Sequence, residues 1–151
     1  MAKTEKAIFT NMCMISDGEG NILVEERIKE DWRGIAFPGG HVEPGEAFTD
    51  SVVREVREET GLTVEHPLLC GVKQFYTDEG ERYVVFLYKA DTFSGELRSS
   101  GEGRVFWIKR TELESYSLAA DFADLVRVFE EGGLSEFFCY EEDGEYAKRL
   151  I

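Results

Sequence analysis

Apolar residues along this chain come in short runs separated by polar, glycine-containing turns, which predicts a fold rich in strands. Residues 7–15 are largely apolar, and after a polar turn residues 22–27 are expected to return as the second strand of a hairpin. Residues 84–88 are almost wholly apolar, as expected of a strand covered on both faces. The other predicted strands are at 35–37, 62–77, 82–92 and 104–109, with a tight turn at 78–81.

Two segments show the spacing of apolar positions that indicates helices. In residues 47–60 three valines share one side of the predicted helix, and Gly61 is placed to end it as a C-terminal cap. A second helix is predicted from the spacing of Leu118, Phe122, Leu125, Val126 and Phe129. Strands that are interrupted and then followed by helices indicate an α/β fold, in which helices cover a mixed sheet.

Residues 135–151 are expected to form a feature of their own after a main domain at 1–134. Two strand-like runs flank Asp143-Gly144, a pair that favours a tight hairpin turn. This C-terminal hairpin or tail is expected to pack on the same domain. It is interpreted as an added sheet edge or packed tail, with a dimer contact or a cap over a substrate cleft as the alternatives. A homodimer is therefore left open.

Composition narrows the range of functions. With 151 residues the chain is long enough for one domain with a proper core. Its formal net charge of -14 argues against a surface that grips long nucleic acid, which needs clustered lysine and arginine. No apolar run is long enough to cross a membrane and no signal peptide is recognised, so a cytoplasmic location is expected. The three cysteines are widely spaced and are expected to be reduced.

The first predicted helix carries an unusual concentration of acid. Glu55, Glu58 and Glu59 stand at i, i+3 and i+4, so they project from one side of the helix, next to its apolar stripe. Carboxylates packed so closely repel one another, and a divalent cation among them explains the arrangement. Gly39 and Gly40 precede the helix and allow a sharp turn of the backbone.

The segment 40–62 resembles the Nudix box, whose pattern is G, five residues, E, seven residues, then R-E-U-x-E-E-x-G-U with U aliphatic. Every fixed position is met, by Gly40, Glu46, Arg54, Glu55, Val56, Glu58, Glu59, Gly61 and Leu62. Phe37-Pro38-Gly39 before the box is also typical of the family. The chain is thus identified as a member of the MutT-like Nudix hydrolases over about residues 5–131. The resemblance implies a Nudix-type α/β/α sandwich with a central mixed β-sheet.

The resemblance also implies a metal-dependent reaction. Glu55, Glu58 and Glu59 are expected to be ligands of Mg²⁺, with Mn²⁺ as a substitute, and a backbone carbonyl at Gly39 or Gly40 could complete the set. The metal would polarise a phosphoryl oxygen and activate a water molecule, from which a carboxylate takes a proton. Family members differ over which glutamate acts as base. Here Glu102 is the candidate outside the box.

The expected substrate is a small nucleotide, a nucleoside diphosphate linked to another group. By resemblance we expect a nucleoside triphosphate such as 8-oxo-dGTP, cleaved to the monophosphate and pyrophosphate; ADP-ribose, sugar nucleotides and dinucleoside polyphosphates are alternatives. A non-catalytic nucleotide-binding regulator is a further alternative, although such a protein should have lost a box glutamate. Candidate substrate-binding residues are Arg27, Phe37, Gly39 and Gly40, and Trp32, Phe75 and Tyr76 are further aromatic candidates for stacking on a purine.

Overall fold

The computed structural model describes residues 2–151. The strands are β1 (Ala7–Ile15), β2 (Asn21–Arg27), β3 (Gly34–Ala36), β4 (Leu62–Glu65), β5 (Leu68–Tyr76), β6 (Arg82–Ala90), β7 (Thr92–Gly95), β8 (Gly103–Lys109), β9 (Glu136–Glu142) and β10 (Glu145–Leu150). The α-helices are α1 (Phe48–Thr60) and α2 (Phe122–Glu130), and Arg110–Ser115 form a 3₁₀ helix. Within residues 2–151, no helix is long and apolar enough to cross a membrane.

A five-stranded mixed sheet forms the centre of the molecule, in the order β1-β6-β5-β9-β10. The pairs β1–β6 and β5–β9 are parallel, whereas β5–β6 and β9–β10 are antiparallel. A second sheet has the order β3-β2-β8, and β4 pairs with β7. The predicted mixed sheet and α/β class are confirmed.

Alternate residues of β1 face opposite sides of the central sheet, and each side is covered by a helix. Met12 and Met14 belong to the apolar cluster that contains the buried side chains of α2. Cys13 and Ile15 belong to the cluster that contains Val52 and Val56 of α1. This period of two is the signature of a strand buried on both faces, and it produces the expected α/β/α sandwich.

The predicted hairpin between residues 7–15 and 22–27 is wrong. β2 pairs with β3 and β8 instead, and only an isolated bridge between Ser16 and Ile22 links it to β1. The reason is that the other edge of β1 is already occupied. The amides of Asn11 and Cys13 donate to the carbonyls of Gly40 and Pro38, so the glycine turn takes the place of the partner strand.

The helix predicted at 47–60 is present as α1, and Gly61 caps it with a left-handed φ of 79°. The second predicted helix starts later than its apolar spacing indicated. Leu118 lies before α2, and Asp121 takes a positive φ of 63° at the helix start.

The C-terminal hairpin forms as predicted, with positive φ at both Asp143 (54°) and Gly144 (79°) in its turn. Such a pair of left-handed residues matches the twist of a two-stranded ribbon. Because β9 pairs with β5, the hairpin extends the central sheet as an added edge. The division of the chain at residue 134 stays a prediction.

Candidate active site

The glycine turn before α1 is held on β1 by hydrogen bonds in both directions. The Gly40 amide donates to Asn11 Oδ1 (3.2 Å), and the Asn11 amide donates to the Gly40 carbonyl (2.8 Å). A Cβ atom on Gly40 would lie 2.3 Å from the Glu55 carboxyl carbon, and one on Gly39 would lie 2.0 Å from the Asn11 carbonyl oxygen. Only glycine fits at position 39, where the clash is with backbone, whereas a side chain at position 40 would displace the Glu55 carboxyl group.

Arg54 organises the acidic side chains at the start of the site. Its guanidinium forms two hydrogen bonds to Glu46, from Nε (2.7 Å) and Nη2 (2.9 Å). Nη1 also donates to Glu55 (3.0 Å) and Glu58 (3.3 Å). A planar group with five donors suits this task better than an ammonium group, since it can hold several carboxylates in fixed directions. The expectation that Arg54 orients a glutamate stays a prediction, and these contacts are consistent with it.

Glu46 precedes α1 but does not cap it. The cap residue is Ala47, with no hydrogen bond from its side chain. The Glu46 carboxylate instead binds Arg54 and accepts from the Glu43 amide (3.1 Å). Hydrogen bonds from Arg54 lower the Glu46 pKa to about 2, so this group is ionised at neutral pH.

Glu55 and Glu59 point from α1 toward the glycine turn, where they are shielded from solvent. Glu59 Oε2 accepts a hydrogen bond from the Gly39 amide (3.0 Å), and its residue is only 5% exposed. Burial raises the pKa of both carboxyls, and that of Glu59 reaches about 9. Glu58 lies further out, with 59% of its side chain exposed.

Glu25 on β2 is a fully buried carboxyl group next to Glu59, and it is not among the residues predicted from the sequence. Neither of its oxygens accepts a hydrogen bond within residues 2–151. Burial raises its pKa to about 7, against the nearby charge of Arg27, whose Nη1 lies 3.9 Å from Glu25 Oε2. Glu25 and Glu59 can satisfy each other only when one of them holds a proton, so they titrate as a pair.

The carboxylates do not form a ready-made ligand set as they stand. In the described part of the chain no three acidic, histidine or cysteine side chains are close enough together to hold a metal ion. Arg54 holds Glu55 and Glu58, while Glu59 faces Gly39. The donor chemistry nevertheless fits a hard cation, because the buried Glu25 carboxyl has no hydrogen-bond donor and its neighbour Glu59 is bound by the Gly39 amide through Oε2.

The acidic side chains open into a cleft of about 740 Å³, lined by residues of β1, β5, β6 and the loops around Gly39 and Glu102. Arg27 crosses this cleft, with its guanidinium 5.3 Å from the centre of the Trp32 ring. Glu102 lies on the wall and forms an ion pair with Lys29 (2.6 Å). The structure therefore brings the predicted residues Arg27 and Glu102 to the same cleft as the box glutamates.

The aromatic residues predicted to stack on a purine lie in different surroundings. Phe37 lines the cleft, but it is only 1% exposed and packs edge-on against Phe122 and Phe129, which leaves little of its ring free to stack on a purine. Its role in substrate binding stays a prediction. Tyr76 lies against Arg82, and it is not among the residues that line the cleft. Trp32 and Phe75 do line the cleft.

Lys73 on β5 lines the cleft, and the sequence reasoning missed it as well. Its ammonium lies among the rings of Trp32 and Phe75 and lines the cleft. A lysine between apolar residues of a strand was a signal that could have revealed it, as was the glutamate that ends the apolar run of β2.

Comparison with known proteins gives consistent results. A family model described as NUDIX domain matches residues 9–129. The human 8-oxo-dGDP phosphatase NUDT18 is 31% identical over 116 residues, 73% of this chain and 35% of that protein. An ADP-ribose pyrophosphatase of Methanocaldococcus jannaschii is 33% identical over 92 residues, 60% of this chain and 54% of that protein. The chain therefore spans only a third to a half of these relatives.

Among solved structures, the MutT protein of Bacillus halodurans superimposes with a TM-score of 0.76 at 29% identity, covering 95% of this chain and 97% of that chain.

Proposed function

The chain belongs to the Nudix hydrolase family, and from this premise we propose that it is a magnesium-dependent pyrophosphohydrolase of nucleoside triphosphates. The proposed preferred substrate is 8-oxo-dGTP, and the products are the nucleoside monophosphate and pyrophosphate. The observation that carries the proposal is the position of the α1 glutamates, beside the glycine turn and at one end of a cleft large enough for a nucleotide.

Nudix hydrolases generally use divalent metal ions, and the residues here suit one. Glu55, Glu58 and Glu59 would hold Mg²⁺, or Mn²⁺ in its place, through carboxylate oxygens. The Gly39 carbonyl is a further ligand, because no hydrogen bond to it is formed within residues 2–151. When bound, the metal neutralises phosphate charge and lowers the pKa of a coordinated water molecule.

The remaining groups position the substrate and move the proton. Arg27 faces the cleft and would contact a phosphate group, whereas Gly39 and Gly40 let the substrate approach the backbone. Water attacks phosphorus, the bond to the bridging oxygen breaks, and pyrophosphate leaves. We propose that Glu102 accepts the proton of the attacking water after it is released from Lys29, whose ion pair now holds it.

One relative supports 8-oxo-dGTP as the substrate, and another supports ADP-ribose. The name of the human relative refers to 8-oxo-dGDP, and that of the archaeal relative refers to ADP-ribose. Trp32 and Phe75 offer aromatic surface to a purine in either case. The cleft must therefore be assayed with both classes.

The deciding experiment measures kcat/KM for 8-oxo-dGTP, dGTP, ADP-ribose, a sugar nucleotide and a dinucleoside polyphosphate, with Mg²⁺ and with chelator. We expect the highest kcat/KM for 8-oxo-dGTP, release of pyrophosphate, and no turnover in chelator. A higher kcat/KM for ADP-ribose would identify ADP-ribose as the preferred substrate instead. Binding of nucleotides without hydrolysis of any of them would support the regulator instead.

Replacing Arg54 by lysine is expected to lower kcat/KM about 10- to 100-fold, because one ammonium cannot hold Glu46, Glu55 and Glu58 in place. The matched control is Arg57→Lys on the exposed side of the same helix. Equal kcat/KM in both variants would contradict an orienting role for Arg54.

A further inference from the structure

Lys73 is a positively charged group that no residue of the described chain neutralises. Its ammonium lies 5.2 Å from the centre of the Trp32 ring, 5.7 Å from that of Phe75 and 5.9 Å from that of Phe137. Within residues 2–151 it forms neither a hydrogen bond nor an ion pair. Asp121, whose charge acts on Lys73, is itself bound by Tyr146 and Lys148.

The surroundings of Lys73 are apolar because of its place in the sheet. On β5 it pairs with Val85 of β6 on one side and with Phe137 of β9 on the other. Burial lowers its pKa. A half-buried ammonium without an acceptor is costly, so a fitting partner is one that enters the cleft as part of a ligand.

Arg27 and Trp32 connect Lys73 to the buried glutamates. A chain of neighbours runs from Glu59 to Glu25 and then to Arg27, whose guanidinium lies over Trp32. The Lys73 ammonium lies near the same ring. If the phosphates are bound by Arg27 and by a cation that the α1 carboxylates would hold, the ring system of the nucleotide lies between Trp32 and Phe75.

An ammonium group has three donors and no acceptor. The Lys73 ammonium can donate a hydrogen bond to a carbonyl oxygen on the edge of a purine. It cannot do so to the amino group at C6 of adenine, because that group is itself a donor. The aromatic rings stack on the flat base, and the ammonium donates a hydrogen bond to an acceptor on the edge of the base.

On the basis of the proposed function, we propose that Lys73, Trp32 and Phe75 form the base-binding end of the cleft and select purines that carry a carbonyl oxygen over adenine. The class includes guanine, hypoxanthine and their oxidised forms. Lys73 is then the specificity-determining residue, and it has no part in the bond-breaking step.

The test compares dITP with dATP, since hypoxanthine and adenine differ at C6 and at the protonation of the neighbouring N1. In the wild-type protein we expect kcat/KM to be about 10- to 100-fold higher for dITP, the range of a hydrogen bond to a charged group. Lys73→Met keeps the length of the side chain and removes the charge. It is expected to bring the two values within about threefold of each other, chiefly by lowering that of dITP.

Two further variants test whether the change in the dITP to dATP ratio depends on the position and the charge of Lys73. Lys89→Met removes a lysine from the exposed side of β6, away from the cleft, and is expected to keep the wild-type ratio. Lys73→Gln offers a donor and an acceptor, and it is expected to give an intermediate ratio. It also serves if Lys73→Met does not fold.

Binding without turnover separates this inference from the proposed function. The affinities of dIMP and dAMP are measured by titration calorimetry without metal. If no triphosphate is hydrolysed but dIMP binds tighter than dAMP in a Lys73-dependent way, the inference stands and the proposed function fails. If hydrolysis is efficient but Lys73→Met leaves the dITP to dATP ratio unchanged, the inference is overturned and the proposed function stands. A wild-type preference for dATP would also overturn it.

Discussion

Replacing Glu58 by glutamine is expected to lower kcat for the preferred nucleotide by about 10²- to 10⁴-fold. Glutamine keeps the shape of the side chain but provides only a neutral oxygen, so one charge of the proposed ligand set is lost. The side chain is 59% exposed, and its loss should leave the packing of α1 unchanged. The variant should therefore fold like the wild type, which circular dichroism and thermal unfolding can check.

The matched control for this prediction is Asp50→Asn, which removes one acidic charge from the same helix at an exposed position away from the cleft. It should retain kcat within about twofold, as expected for a surface change. Mn²⁺ binding followed by electron paramagnetic resonance gives a second measurement, and Glu58→Gln should weaken it. Undiminished turnover in a folded Glu58→Gln protein would refute the ligand role of the box.

Replacing Glu25 by glutamine is expected to stabilise the metal-free protein at alkaline pH. Folding raises the Glu25 pKa from 4.5 to about 7, so the native state binds more protons than the unfolded state between these values. Stability is therefore greatest below about pH 4.5 as far as this group is concerned, and it decreases as the pH rises through about 7. The shift corresponds to about 3 kcal/mol, an upper value because Glu25 and Glu59 titrate together.

Denaturant unfolding in chelator at pH 5 and pH 9 measures this effect. The wild-type free energy of unfolding should fall by roughly 3 kcal/mol more than that of Glu25→Gln between the two pH values. Glu26→Gln is the control on the neighbouring residue, because Glu26 is half exposed and pairs with Arg104 on the surface. If the free energies of unfolding of Glu25→Gln and Glu26→Gln change equally with pH, ionisation of the buried Glu25 carboxyl does not destabilise the protein.

The part of the site that could be predicted is the part encoded locally. The positions of Glu55, Glu58 and Glu59 on one side of α1 follow from helical periodicity, and Gly61 marks the end of the helix by its left-handed conformation. The turn of the C-terminal hairpin was equally readable, because Asp143 and Gly144 favour a tight turn wherever they lie in the fold.

The rest depends on partners far away in the sequence. Glu25 ends an apolar run and resembles an outward-facing polar residue, and only the pairing of β2 with both β3 and β8 buries it. The near-complete burial of Phe37 likewise depends on Phe122 and Phe129 of α2, which are more than eighty residues away in the sequence. The predicted hairpin between residues 7–15 and 22–27 is not formed, because the glycine turn binds the edge of β1 that the hairpin would need.

The parallel pairing of β5 with β9 has a consequence for how such proteins diversify. It places Lys73 beside Phe137, a residue of the C-terminal hairpin, whereas the acidic residues lie on α1 and β2. On the proposed assignments, and apart from Trp32, base recognition and hydrolysis therefore draw on separate pieces of the chain. A duplicated gene could acquire a new nucleotide by drift in β5 and the hairpin while the hydrolytic half stays constant, and mutant libraries aimed at altered selectivity should be confined to those strands and to Trp32.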